Sequence, residues 1–262
     1  MLAGPRARAA EVPLFVRRLR LTGSLSSARR LAELERLSSY GDAVAPTVHR
    51  LRVQALGCSV GVRQGTKDYC AVRDTFAGRY HLPPAGITPE TILDLGANIG
   101  MTMAHLAVLY PRARIIGVEL DADNAALCRE NVRPWADRCK LVEGAAWSAD
   151  GEVMYERRRG CEQGFHVTRQ HGNATAPAIS LNTLLGRHGW DRVDFVKMDI
   201  EGAEQQVLRR ATEWAERVRS IKVEVHGAYT MNDCAGDLRA LGFDTRFDDR
   251  HWAAVIGQRP LS

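Results

Sequence analysis

No stretch of this sequence is long and apolar enough, at ~18 residues, to cross a bilayer as a helix. The N-terminus, MLAGPRARAAEVPLFVRRLRL, lacks the uninterrupted apolar stretch of ~7–15 residues that marks a secretory leader. Cysteine is scattered: none of Cys58, Cys70, Cys128, Cys139, Cys161 and Cys234 forms a C-x-x-C pair or stands at zinc-ligand spacing from a histidine. That pattern argues against structural zinc and a disulfide framework, and reduced thiols in a cytoplasmic protein are expected. Internal repeats and low-complexity tracts are missing as well. Lysine is scarce, supplying four of the 36 basic residues, so the positive charge is mostly arginine.

What is present is an ordinary globular balance, 45% hydrophobic and 26% charged, in 262 residues that suit one α/β domain with an N-terminal extension. The formal charge is +5. Much of the excess precedes Ala55, in Arg6, Arg8, Arg17, Arg18, Arg20, Arg29, Arg30, Arg36, Arg50 and Arg52. Such a cluster reads either as a nucleic-acid arm or as a solvated helical extension. Aromatic residues, which base stacking would want, are not interleaved with these arginines, so the extension is preferred and nucleic acid is not an expected partner.

Residues 12–38 fit one or two amphipathic helices, with Leu31, Leu34 and Leu37 recurring, whereas residues 41–60 fit neither period. A basic helical extension over residues 1–60 and a main domain over residues 61–262 follow from this. In the main domain, strands are expected at Thr91–Leu95, Ala113–Leu120, Lys140–Val142, Val193–Ile200 and Ser220–His226. Helices are expected at Asn98–Leu109, from Asp121 to about Val132, after Ser180, and at Ala203–Val218 with an apolar stripe of Ala203, Val207, Ala211 and Trp214. Strand alternating with helix is the mark of a parallel sheet covered on both faces. The segment from Gly151 to about Pro177 breaks that rhythm and carries Arg157, Arg158, Arg159, His166, Arg169 and His171, as an insertion over the sheet edge or a site mouth would. At the end, FDTRF and HWAAVIG are joined by too short a link for a parallel crossover. The expected fold is therefore α/β: a doubly wound, mostly parallel, seven-stranded sheet with a C-terminal antiparallel hairpin.

Asp94-Leu95-Gly96-Ala97-Asn98-Ile99-Gly100 ends the first strand and opens a helix, where glycine lets the backbone turn sharply and approach a ligand. Open α/β sheets bind ligands outside these strand ends. Glu119 ends the second strand, where a carboxylate can accept both ribose hydroxyls. A dinucleotide wants Gly-x-Gly-x-x-Gly beneath its pyrophosphate, but here the spacing is Gly-x-x-x-Gly beside an acidic Asp94. That carboxylate suits a cationic amino-acid tail, which favours S-adenosylmethionine over NAD. Glu143-Gly144-Ala145 follows the third strand, where an adenine edge would lie.

These residues resemble the FkbM family of S-adenosylmethionine-dependent methyltransferases. The likeness rests on ILDLGANIG (Ile92–Gly100), GVELDADN (Gly117–Asn124), VEGAAWSADGEV (Val142–Val153), VDFVKMDIEGAEQQVL (Val193–Leu208) and VEVHG (Val223–Gly227). It spans roughly Asp68 to the C-terminus. It implies a class I methyltransferase fold, S-adenosylmethionine as donor, and a hydroxylated small-molecule acceptor such as a sugar or secondary metabolite. By position, Asp94, Gly96, Asn98, Gly100 and Glu119 would hold the donor, with Asp199 beside the transferring methyl; Ala97, Leu120, Glu143 and Ala145 complete the expected set. Leu82-Pro83-Pro84-Ala85 lacks the flanking residues of an exocyclic-amine methylase of nucleic acid.

Asp199, Glu224 and His226 lie at the ends of neighbouring strands, and alternation puts Glu224 and His226 on one face. The leading reading has His226 as general base with the carboxylates orienting it; the next has Asp199 and Glu224 holding Mg²⁺. Acidic Glu201 and Glu204 suit the helix dipole, and Lys197 pairs with a carboxylate or does nothing more. An NAD(P)-dependent oxidoreductase and a non-catalytic, methyltransferase-like RNA-binding scaffold are the competing readings. The sequence carries no indication of oligomeric state.

Overall fold

The computed structural model describes residues 13–38, 47–156, 167–168 and 172–260. Two helices open it, α1 (Leu14–Thr22) and α2 (Leu25–Leu37), the second capped by Ser24, whose hydroxyl accepts the Ser27 N–H. Leu31 and Leu34 of the expected stripe are buried. The stretch without a readable period contains a hairpin, β1 (Val48–Val53) and β2 (Cys58–Arg63), paired antiparallel along both strands. Helix α3 (Asp68–Arg73) follows and widens into a π turn at Asp74–Gly78.

The doubly wound core begins at β3 (Thr91–Leu95) and runs through α4 (Met101–Leu109), β4 (Arg114–Glu119), α5 (Ala122–Asn131) and β5 (Cys139–Glu143). Asp121 caps α5 as expected, accepting the N–H groups of Asp123 and Asn124 at 3.0 Å each. Helix α4 is buried along Met101–Ala107, so it shows no polar face.

The expected junction after residue 60 falls inside β2. Leu31, Leu34, Leu51, Val53, Val60 and Val62 share one cluster with Ile99, Met101, Ala104 and Leu127, so the N-terminal elements pack on α4 and α5. A buried polar link reinforces this. Arg63 donates to both Asp68 oxygens (2.8 and 2.9 Å) and to Asn124 Oδ1 (2.5 Å), tying β2 and α3 to the start of α5.

Beyond β5 the chain builds a second sheet from β6 (Ala145–Trp147), β7 (Gly151–Tyr155), β8 (Val167–Thr168) and β9 (Ala174–Ser180), in the order β6-β9-β7-β8. The expected insertion thus contains ordered strands; Arg157, Arg158, Arg159, His166, Arg169 and His171 lie outside the described residues. Ser180 caps α6 (Leu181–His188) through the Thr183 N–H. Then come β10 (Phe195–Met198), α7 (Glu204–Arg209), β11 (Ser220–Glu224), α8 (Met231–Ala240), β12 (Asp244–Phe247) and β13 (Ala254–Gln258). The main sheet has seven strands in the order β12-β13-β11-β10-β3-β4-β5, with β13 antiparallel to both its neighbours. This is the expected doubly wound sheet closed by a C-terminal hairpin.

The helix expected over 203–218 is shorter. Arg210 is extended and Ala211 takes φ +48°, after which Trp214 enters the core from a 3₁₀ turn. Ala211 is consequently exposed, not part of a buried stripe. Among the described residues no helix is long and apolar enough to cross a membrane.

Candidate active site

A cavity of about 440 Å³ opens at the carboxyl ends of β3, β4, β10 and β11. Its first wall is the loop after β3. Gly96 has φ +81°, and a Cβ there would stand 1.8 Å from the Asp199 carbonyl oxygen, so only glycine lets β3 and β10 approach this closely. Gly96 and Ala97 donate their N–H groups to Val118 O at 3.0 and 2.9 Å. Asn98 takes φ +50° and donates its N–H to Glu119 Oε2 at 2.7 Å.

Glu119 lines the cavity and its carboxylate is held from behind. Oε1 accepts the Asp121 N–H (2.9 Å) and Asn124 Nδ2 (3.4 Å). Burial raises its pKa to about 7 against these donors. A carboxylate offers about four lone-pair directions and these donors take three, so capacity remains for one ligand hydroxyl. Ala97, Leu120 and Ala145 line the same space.

Three expected donor contacts fall elsewhere. Glu143 is exposed and pairs with Arg129 at 2.7 Å, because the last side chain of β5 points outward and not along the strand axis. Gly100 starts α4 with φ +84° and is not in the lining. Asp94 is fully buried behind the wall, where Thr102 Oγ1 donates to it and Lys197 Nζ lies 3.2 Å away. Its direction on the pleat turns it toward α4, so it braces the loop instead of facing a ligand's cationic tail.

Lys197 connects the two sides of the site. Its Nζ donates to Gly96 O at 2.9 Å and lies 3.3 Å from Asp199 Oδ2. Burial alone would lower its pKa, but the charges of Asp94 and Asp199 override this and hold it well above the ordinary value.

The acidic wall adjoins the glycine loop through Asp199. Asp199 and Glu224 both line the cavity; His226 stands just behind, its Nε2 3.7 Å from an oxygen of each and 3.6 Å from Glu201 Oε2. One donor atom from each of Asp199, Glu224 and His226 lies within 4.8 Å of the other two. Glu204, read from sequence as a dipole residue, does more. Fully buried, it accepts the Ile200 N–H (3.2 Å), the Gly202 N–H (2.9 Å) and the His226 Nδ1–H (2.8 Å). These bonds stabilise a turn in which Glu201 adopts φ +51°, a conformation that costs a side-chain-bearing residue roughly 1–2 kcal/mol.

The Glu204 contact also changes the role of His226. Burial pulls the imidazole pKa down, but the hydrogen bond to Glu204 and the charges of Glu201 and Asp199 raise it to about 9. His226 therefore favours its imidazolium form, which weighs against the general-base role of the leading sequence reading. Glu224 instead is raised to about 8, by burial first and by Asp199 second. A rim closes the cavity from the outside: Tyr80 after the π turn, and Arg250, His251 and Trp252 between β12 and β13.

A sequence profile described as the Methyltransferase FkbM domain matches residues 94–244. The 2-O-methyltransferase NoeI of Sinorhizobium fredii is 27% identical over 153 residues, an alignment covering 51% of this chain and 62% of that protein. The hexuronic acid methyltransferase AglP of Haloferax volcanii is 24% identical over 172 residues, covering 65% and 71%. A tRNA1(Val) (adenine(37)-N6)-methyltransferase of Porphyromonas gingivalis is 32% identical over 112 residues, covering 42% and 41%. Because the matched profile takes in more than half of the chain, from the buried Asp94 through the glycine loop and acidic wall to the start of β12, the chain belongs to the FkbM methyltransferase family.

Proposed function

We propose that this protein transfers the methyl group of S-adenosylmethionine to a hydroxyl oxygen of a small molecule. The observation that carries the reading is one cavity lined by a glycine loop, the prepositioned carboxylate of Glu119 and an acidic wall. Its volume suits a ligand of that size. Gly96 and Ala97 let the backbone pass close to the ligand without side-chain bulk, Glu119 offers its remaining lone pair to a hydroxyl, and Leu120 and Ala145 supply apolar surface for a base. When bound, the donor supplies an electrophilic methyl carbon on a sulfonium sulfur.

The protein has two tasks. It aligns the acceptor oxygen with the methyl carbon and the sulfur, a proximity effect. It also takes the hydroxyl proton as the O–C bond forms and the C–S bond breaks. Glu224 faces the cavity and is raised to about 8, so its ionised fraction, which grows as pH rises, supplies the proton acceptor. Asp199 orients the hydroxyl, held by Lys197. His226 fixes the positions of both carboxylates as a cation.

A second reading keeps the same residues and adds a divalent ion such as Mg²⁺ on Asp199, Glu224 and His226. It is favoured by the hydrogen bond from His226 Nδ1 to Glu204, which leaves Nε2 aimed at the carboxylates as in metal-bound histidine. Equilibrium dialysis with Mn²⁺ would register such an ion without reference to turnover, and His226→Gln should abolish its binding. A cytoplasmic setting suits the free thiols of Cys58, Cys70, Cys128, Cys139 and Cys234.

Calorimetric titration with S-adenosylhomocysteine tests the main reading. One-to-one binding, with no response to NADH, is expected. Binding of NADH in its place would turn the assignment toward an oxidoreductase, and salt-sensitive RNA binding without methyl transfer would turn it toward a scaffold.

A further inference from the structure

Trp252 is the most exposed large hydrophobic residue among those described, at 85%, yet it lines the same cavity as Glu224 and Asp199. The segment that presents it is firmly built. Asp248 donates its N–H to Ala254 O (2.9 Å), Ala254 donates to His251 O (3.2 Å), and Asp248 Oδ1 accepts the Arg250 N–H (3.1 Å). Beneath, Asp248 forms a buried ion pair with Lys222 at 2.6 Å, and Lys222 also donates to Tyr80 O at 2.8 Å. The His251 ring stacks beside Trp252, at 6.2 Å between centroids and 27° between planes, and tilts against Tyr80 at 5.5 Å. On its other edge, His251 Nε2 lies 3.7 Å from Glu224 Oε1. The indole is thus presented on a braced frame that leads directly to the acidic wall.

Charge along this path is ordered. The interior carries Asp199, Glu201 and Glu224 with Lys197 already paired to Asp199, while the exposed Arg250 stands at the mouth and forms no ion pair among the described residues. An acceptor with its own anion is held by Arg250, the mouth cation left without a carboxylate among the described residues, and this turns its opposite edge inward. Next to the indole the surroundings are polar: His251 against its ring, Arg250 before it in the chain, and Tyr80 and Glu224 against His251. A flat aromatic acceptor would want apolar walls on both faces. A pyranose places C–H groups on one face and hydroxyls around its edge, which suits one exposed indole and polar surroundings.

We propose that Arg250, His251 and Trp252 form the acceptor subsite, and that it takes a sugar acid: pyranose face on Trp252, carboxylate on Arg250, and a ring hydroxyl toward Glu224. This rests on the methyltransferase reading and names its substrate class.

The test is calorimetry with methyl β-D-glucuronide, methyl β-D-glucoside and 4-hydroxybenzoate, each titrated with and without S-adenosylhomocysteine, on wild type, Arg250→Gln and Trp252→Ala. The glucuronide should bind at least about tenfold tighter than the glucoside, and Arg250→Gln should erase that preference. Trp252→Ala should weaken the glucuronide by about fivefold. Affinity for S-adenosylhomocysteine should be the same in all three proteins, which also shows that the variants fold. Equal binding of the two glycosides, no glucuronide binding, tighter binding of 4-hydroxybenzoate, or a preference unmoved by both substitutions overturns the proposal. Failure of S-adenosylhomocysteine to bind counts against the cofactor reading instead, since the glycosides are also titrated alone.

Discussion

At the scale of single residues the site depends on how little room each backbone turn leaves. Gly96→Ala would put a methyl group 1.8 Å from the Asp199 carbonyl oxygen. Strands β3 and β10 would have to separate, so the variant should lose S-adenosylhomocysteine binding and melt earlier; unchanged calorimetry would show that the close approach is dispensable. Glu224→Gln tests the chemistry separately. Removing a general base of this kind costs about 10²–10⁴-fold in turnover, while cofactor affinity should persist because Glu119 and the glycine loop are untouched. The wild-type rate should climb as pH passes about 8, where Glu224 loses its proton, and the variant should lack that limb. That Gly96, Glu119, Asp199 and Glu224 would line one cavity was legible in the sequence, because these positions end neighbouring strands of a parallel sheet. Asp94 and Glu143 fall outside the cavity lining because position at a strand end does not give side-chain direction. Glu204 had a faint signal, the spacing Glu201-Gly202-x-Glu204, but its bond to His226 joins residues 22 apart in sequence.

At the scale of elements, segments with a continuous apolar run, a capping residue or a short link were readable: β3 and β4, buried on both faces, α5 with its Asp121 cap, and the terminal hairpin. Others depended on partners far along the chain. Strand β1 buries only Leu51 and Val53 along its length, so its period was too weak to read before its pairing with β2 was known. The end of α7 is set by Trp214 turning into the core, and the side chain of Asn182 accepts that break by donating to Ala211 O at 3.1 Å. The rim between β12 and β13 depends on another distant partner, Lys222. Lys222→Met would leave Asp248 buried without its counter-charge and Tyr80 O without its donor, a loss of about 3–5 kcal/mol. Adding Asp248→Asn removes the orphaned charge and keeps the Oδ1 acceptor for Arg250. Denaturant titration should therefore find the double variant recovering about half of the loss, as expected when an uncompensated charge, and not lost packing, dominates. Equal instability of the single and double variants would assign the effect to packing.

At the scale of the whole molecule, the buried titratable groups act in opposite directions on stability. His105 and His81 form a hydrogen-bonded pair at 3.1 Å, and burial lowers His105 from 6.5 to about 4 and His81 well below its ordinary value. The unfolded chain binds protons that this pair refuses, so stability from it is present above pH 6.5 and is lost as pH falls toward 4. Glu119 and Glu224 are raised from 4.5 to about 7 and about 8, chiefly by burial. His226 is raised from 6.5 to about 9, its carboxylate neighbours outweighing burial. For these three the folded protein holds protons that the unfolded chain releases, so their contribution is complete below the unfolded value and fades as pH rises through the folded one. Between pH 4.5 and 6.5 the histidine pair and the two glutamates oppose each other, and stability should be nearly flat. Above 6.5 the pair is neutral in both states, and the remaining groups all pull downward, each by at most about 1.4 kcal/mol per pH unit. Urea unfolding of the ligand-free protein should therefore show a decline from pH 6.5 to 9, shallower in Glu224→Gln up to about pH 8 because one of the responsible protons is gone. A wild-type profile flat to pH 9 would mean that the acidic wall is relieved without protons, by a bound cation, and would favour the divalent-ion reading of Asp199, Glu224 and His226.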